Sequence, residues 1–85
     1  IGLVNAVVPA DQVMPKAEEF ARKIAANGPV AVRKIKETVL RGLSVSIEQG
    51  FQIEDESFRE VLATEDAQEG PRAFIEKRKP QYRGR

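Results

Sequence analysis

The 85-residue sequence contains no cysteine, no histidine and no tryptophan. Without cysteine there is no disulfide staple and no thiolate ligand or nucleophile. Without histidine the usual transition-metal ligand and the one side chain that titrates near neutrality are both missing. These two absences exclude a self-contained metalloenzyme or a Cys/His hydrolase. Ser44, Ser46 and Ser57 have no imidazole to activate them, and no glycine-rich phosphate loop is present, so nucleophilic and P-loop chemistry also fail. No apolar run approaches the roughly 20 residues needed to cross a bilayer, and no basic-then-apolar leader opens the chain. The expectation is a soluble, cytoplasmic protein with no membrane partner. The only methionine is Met14 and the chain opens at Ile1, which suggests a piece of a longer product.

What remains is 41% hydrophobic and 32% charged, enough for one small domain whose independent stability is doubtful at this length. The net charge of +1 conceals a strong asymmetry. Residues 1–43 carry a net +3, residues 44–70 a net −7 and residues 71–85 a net +5. An acidic block followed by a basic tail can pair with itself, with a second copy, or with an anionic ligand.

Leu3-Val4-Asn5-Ala6-Val7-Val8, closed by Pro9, has the β-branched content of a terminal strand. It has no partner strand in the chain, so its sheet is expected to come from sequence before Ile1. Beyond it the periodicity turns helical. Val13, Ala17, Phe20, Ala21 and Ile24 form one stripe, with Asp11 as an expected cap and Asn27-Gly28 as the stop. A second helix is predicted from Pro29, with Val32, Ile35, Val39 and Leu43 on one face and Gly42 near its end. Ser46 and Gln49 make a capping-box pattern before a third helix with Ile47, Phe51, Phe58 and Leu62 along a stripe. Thr64 is suited to cap a short final helix with Glu65 and Asp66 in its first turn, where the helix dipole favours negative charge. Gly70-Pro71 is expected to kink or split that helix, and Pro80 to end the helical region. The predicted fold class is all-α: three amphipathic helices and a short C-terminal helix, preceded by a short strand.

Two clusters could carry chemistry. Glu54, Asp55 and Glu56 resemble a carboxylate group for acid/base work, but successive helix positions point about 100° apart. They are read as a solvated face or as ion-pair partners. The tail Glu76-Lys77-Arg78-Lys79, with Tyr82, Arg83 and Arg85, could bind nucleic acid. The simpler expectation is a solvated, loosely ordered terminus. Phe20, Phe51, Phe58 and Phe74 sit at helical spacing and are read first as core.

Several of these segments together resemble a known family. Gly2-Leu3-Val4-Asn5 leading to Val7-Val8-Pro9 is similar to the point where the crotonase core gives way to its C-terminal helices. Ala25-Ala26-Asn27-Gly28-Pro29-Val30-Ala31 resembles the junction between two of those helices. Thr64-Glu65-Asp66, Glu69-Gly70, Ala73-Phe74 and Glu76-Lys77-Arg78-Lys79-Pro80 resemble the family's closing motif. The resemblance is to the C-terminal helical region of the enoyl-CoA hydratase/isomerase (crotonase) family. It covers essentially the whole chain and is most specific over the last twenty residues.

The resemblance implies that residues 1–10 are the end of the crotonase core and residues 11–85 a helical region that makes oligomer contacts and closes the coenzyme A site. It implies a parent that hydrates trans-2-enoyl-CoA thioesters, a lyase that stabilises an enolate in an oxyanion hole. The catalytic groups would precede Ile1, so no catalytic or metal-binding residue is assigned and the isolated chain is expected to be inactive. By motif position, Phe58 and Phe74 would lie near the adenine of coenzyme A and Lys77 near its phosphates. The implied partners are an acyl-CoA substrate and further copies of the protein, as a trimer or dimer of trimers, with no nucleic acid and no separate cofactor. The alternative is a free-standing helical module whose basic tail binds an acidic partner or nucleic acid.

Overall fold

The computed structural model describes residues 1–85. Four α-helices follow a 3₁₀ turn at Ala10–Gln12: α1 (Val13–Ala25), α2 (Pro29–Gly42), α3 (Ile47–Leu62) and α4 (Asp66–Ile75). Local chemistry explains most of the boundaries. At the end of α1 the Asn27 side chain donates to the carbonyls of Lys23 and Ile24, groups the helix itself leaves unpaired. Pro29 is the first residue of α2, where its fixed φ suits the helix and its missing N–H is not needed. At the start of α3 the Ser46 hydroxyl accepts the Gln49 N–H at 3.2 Å, and the Gln49 side chain accepts the Ser46 N–H at 3.4 Å. This reciprocal pair is the capping box that the sequence predicts. The expectation for Asp11 fails: it lies within the 3₁₀ turn, and α1 starts without a side-chain cap.

The predicted strand is absent. Residues 1–9 contain no strand, and Leu3, Val4 and Val7 are exposed. A strand is made by hydrogen bonds to a neighbouring strand, and β-branched content cannot substitute for that neighbour. The segment instead lies beside α1, where Val4 to Val8 share a shallow cleft with Val13, Ala17 and Phe20. The fold is thus helical throughout.

Helices α2 and α3 form the principal packed pair. Their register is antiparallel: Lys34 pairs with Glu60, and the Thr38 hydroxyl donates to the Ser57 hydroxyl at 2.7 Å. Ile53 and Ser57 are the buried residues of α3. The predicted α3 stripe is not the buried one: Phe51, Phe58 and Leu62 are 63%, 59% and 54% exposed, with Phe58 at the edge of the α2–α3 cleft. Helix α4 touches α3, whereas the main packing partner of α1 is the 3₁₀ turn before it. Gly70-Pro71 does not split α4, which runs unbroken from Asp66 to Ile75 with Pro71 inside it.

The result is an open layer of 42 × 41 × 18 Å with a radius of gyration of 16.1 Å. A compact chain of this length would have a radius of about 12 Å. The accessible surface is 7316 Å², against about 5,000 Å² expected for a compact protein of this mass. No large side chain is fully buried. An apolar face remains uncovered on each of the main helices. No helix is long and apolar enough to cross a membrane.

Candidate functional site

The most highly organised polar region is built around α4. Thr64 precedes this helix; its hydroxyl donates to the Val61 carbonyl at 2.6 Å and accepts the Ala67 N–H at 3.2 Å. Thr64 therefore satisfies an early helical donor, as its sequence position predicts. The next two acidic residues on the helix do more than complement its dipole. Asp66, a buried carboxylate, accepts the backbone N–H of Arg83 through Oδ1 and that of Gly84 through Oδ2, both at 2.7 Å. The Asp66 N–H in turn donates to the Arg85 carbonyl at 2.9 Å.

One turn later, Glu69 receives the Arg78 guanidinium as a two-pronged fork, at 2.6 and 2.9 Å, and accepts the Gln81 N–H at 2.8 Å. Charge-assisted, bidentate pairs of this type are strong and orientationally specific. The Arg78 fork and then the Gln81 N–H hold the Glu69 carboxyl well below the usual carboxylate range, at about 2. Glu69 and Glu76 correspondingly push the Arg78 pKa upward. Residues 78–85 are therefore a strap bound to α4. This corrects the expectation of a loosely ordered terminus, while most of its side chains are exposed to solvent as expected.

The strap also reaches the start of α2. Gly84, at φ +78°, passes against Pro29 in a conformation that favours glycine. Tyr82 packs over Gly70, where a side-chain carbon would come within 3.1 Å of the tyrosine hydroxyl. It lines an apolar groove of about 750 Å³ with residues of α2 and α4, among them Val32, Ile35 and Ala67.

Helix α4 closes in an unusual way. The Arg78 N–H donates to the Ala73 carbonyl at 3.0 Å and the Lys77 N–H to the Phe74 carbonyl at 3.2 Å. These two bonds are those of a Schellman cap, which places its C′ residue in the left-handed region. Here that residue is Lys77, at φ 54°, the only non-glycine residue with positive φ. A side chain in that conformation costs about 1–2 kcal/mol relative to the right-handed one.

The three residues singled out by motif position do not form one cluster. Phe74, 85% exposed, and Lys77 are joined through the cap bond at the end of α4. Phe58 lies apart, lining the cleft between α2 and α3 with Val39, Glu54 and Val61. Glu54 makes no ion pair within the chain, while Asp55 pairs with Arg59 one turn on. No group of carboxylates converges to hold a metal ion. Sequence reasoning missed Asp66 and Glu69 as anchors, because their partners are backbone N–H groups twelve to eighteen residues away. The one available signal was Gly84 next to paired acidic and basic blocks, and it is weak.

Comparison with known proteins agrees over the full length of the chain. The family model described as Enoyl-CoA hydratase/isomerase matches residues 1–85. A short-chain-enoyl-CoA hydratase of Clostridium acetobutylicum is 46% identical over 79 residues, which is 93% of this chain and 30% of that protein. A carnitinyl-CoA dehydratase of Proteus mirabilis is 41% identical over 88 residues, covering 99% of this chain and 34% of the relative. The crystal structure of an enoyl-CoA hydratase from Bacillus anthracis superposes with a TM-score of 0.94 at 46% identity, over 99% of this chain and 33% of that one. The chain thus spans about a third of the length of the relatives it matches. With sequence, helix order and three-dimensional form in agreement, this chain belongs to the enoyl-CoA hydratase/isomerase family.

Proposed function

We propose that these residues serve as the C-terminal helical region of an enoyl-CoA hydratase, with residues 1–10 ending the crotonase core and residues 11–85 closing part of the coenzyme A site and making oligomer contacts. The whole protein would add water to a trans-2-enoyl-CoA thioester, in a cytoplasmic setting, as a trimer or dimer of trimers. The oxyanion-hole donors and acid/base groups for that reaction belong to the part of the protein before Ile1. The role of this chain is to bind.

The observation that carries the proposal is the end of α4. There an exposed aromatic ring, Phe74, is followed by a lysine held in an energetically unfavourable backbone conformation and free of any ion pair within the chain. Strain of this type persists only where surrounding structure imposes it, and it concentrates at ligand-binding positions. An aromatic face can stack on adenine, and an ammonium on a flexible stem suits a phosphate. Phe58 would approach the same ligand from the α2–α3 cleft. The accessible surface exceeds that of a compact monomer by about 2,300 Å², apolar area that both the rest of the protein and further copies of it are available to cover.

The rival reading, a free-standing module with a nucleic-acid-binding tail, is less well supported. Arg78 and Arg85 are engaged by Glu69, Glu76 and Glu65 within the chain. The proposal is tested by Lys77→Ala in the full-length protein. A contact made equally in ground and transition states changes KM and leaves kcat alone. The expected outcome with crotonyl-CoA is a KM raised about fivefold to tenfold, the equivalent of one good charge contact, with kcat within about twofold. An unchanged KM would remove Lys77 from the site. Turnover of crotonyl-CoA by residues 1–85 alone would overturn the division of labour.

A further inference from the structure

We propose that Glu69 is a positioning residue for Lys77: by gripping Arg78 and Gln81 it holds the cap of α4 closed, keeps Lys77 in its left-handed conformation and so sets where the ammonium is presented. This deepens the proposed function and rests on Lys77 as a coenzyme A ligand.

Lys77 is bracketed on both sides. Arg78 immediately follows it and sends Nη1 and Nη2 to Glu69, at 2.6 and 2.9 Å. Its Nε donates at 2.6 Å to Glu76, the residue immediately before Lys77. The flanking residues are therefore bonded to each other, and one of them is fastened to the body of α4. The Gln81 N–H binds the same Glu69 carboxylate at 2.8 Å, so the chain beyond the cap cannot swing away without breaking three bonds at one group. The Glu69 side chain is only 16% exposed, which distinguishes this fork from the exposed ion pairs along α1. The same fork and the Gln81 N–H hold the Glu69 carboxyl at about 2, so it keeps the charge that grips Arg78 at pH values well above that.

The physical reason to link the brace to Lys77 is economy of conformation. A Schellman cap closes most easily on glycine, which occupies the left-handed region without a steric penalty. With glycine at position 77, no brace would be needed to hold that φ. The chain has lysine there and surrounds it with a bonded Glu76–Arg78–Glu69 network. Lys77 takes no part in that network, although it adjoins two of its members. The network fixes its backbone and leaves its ammonium available. If the brace opens, the right-handed conformation becomes accessible to Lys77 and the direction of its Cα–Cβ bond changes.

The experiment uses the full-length protein with Glu69→Gln, Arg78→Lys, Lys77→Ala and the Glu69→Gln/Lys77→Ala double variant. Coenzyme A binding is followed by calorimetry, crotonyl-CoA turnover by steady-state kinetics, and backbone opening by amide exchange. Glu69→Gln is expected to weaken coenzyme A about fivefold with kcat unchanged, and to cost less than about 1.5-fold further once Lys77 is gone, since residues acting through one contact are not additive. Arg78→Lys retains charge but loses the fork, and should match Glu69→Gln. Exchange at the Arg78 and Gln81 amides should rise at least about tenfold in Glu69→Gln. The inference is overturned if Lys77→Ala weakens binding and Glu69→Gln does not. Equal losses from Glu69→Gln with and without Lys77, or unchanged amide exchange, would overturn it as well. Should Lys77→Ala itself leave coenzyme A affinity intact, the ligand role of Lys77 fails and the inference falls with it. Faster exchange in Glu69→Gln would identify that case, because the brace would then exist without serving a ligand.

Discussion

The Asp66 carboxylate and the Gly84 N–H are joined at 2.7 Å across eighteen residues of sequence, fastening the end of the chain to the first turn of α4. Gly84 also lies against Pro29, the first residue of α2. The starts of two helices are thus tied through the end of the 78–85 strap. This relationship gives the tail a structural role at the first turn of α4.

Removing that tie should be measurable as stability. Asp66→Ala leaves the Arg83 and Gly84 N–H groups without their charged acceptor. Hydrogen bonds to an ionised, shielded carboxylate contribute about 1.5–3 kcal/mol each, and water can replace part of that near the surface, so a total loss of about 2–3 kcal/mol is expected. Urea unfolding of the full-length protein checks the magnitude, and amide exchange at Gly84 checks the location. A stability loss with no faster exchange at Gly84 would mean that Asp66 acts elsewhere.

The acid behaviour of the strap follows from Glu69. Its carboxyl is held at about 2 in the folded chain, below its ordinary value of 4.5. A depressed folded-state pKa means that the unfolded state binds the proton more readily, so stabilisation is complete above about pH 4.5 and is lost as pH falls toward about 2. Tyr82 is the only tyrosine, tryptophan is absent, and its ring carries the strap against Gly70. Its fluorescence is therefore a direct probe. A transition between pH 4.5 and 2 is expected, and Glu69→Gln should weaken it or remove it. A transition unaffected by that substitution would assign the acid response to another group.

Much of the helical order was legible because it depends on neighbours in sequence. The Ser46–Gln49 capping box, the Asn27 stop, Pro29 as a first residue and Thr64 as a cap are all interactions within one turn, and all four are present. What was not legible depends on distant partners. Val4 to Val8 have strand-like composition, but no adjacent strand supplies the hydrogen bonds. The ordering of the basic tail is not legible because nothing local reveals that Asp66 and Glu69 accept its backbone N–H groups. Phe58 and Phe74 were placed by motif position, and no pattern of spacing could say that one lies in the α2–α3 cleft and the other at the end of α4.

Lys77→Gly is expected to move stability and binding in opposite directions. Glycine relieves the left-handed strain, so Lys77→Gly should stabilise the protein by up to about 1 kcal/mol after allowance for the greater freedom of glycine in the unfolded chain. The same substitution removes the ammonium, so coenzyme A affinity should fall to the level of Lys77→Ala. Thermal unfolding and calorimetry on one preparation measure both. A destabilised Lys77→Gly protein would show that the lysine stem contributes packing that outweighs its strain, and the case for a conformation maintained for binding would be lost.

The uncovered face of α3 leads to a prediction about assembly. Phe51 and Leu62 are 63% and 54% exposed, whereas Ile53 and Ser57 are the buried residues of the same helix. Replacing both with lysine removes little packing within the chain, and lysine is a good helix former. Burial of such side chains at a subunit contact is worth about 1.5–3 kcal/mol each, so Phe51→Lys with Leu62→Lys should weaken association at least about a hundredfold. Sedimentation of the full-length protein is then expected to show dissociation toward monomers, while circular dichroism retains the helical signal. If the assembly survives intact at the same concentration, the α3 stripe is not a subunit contact, and its cover must come from the portion of the same protein before Ile1. If helicity collapses as well, the stripe stabilises the fold itself, and packing with α2 alone does not account for α3.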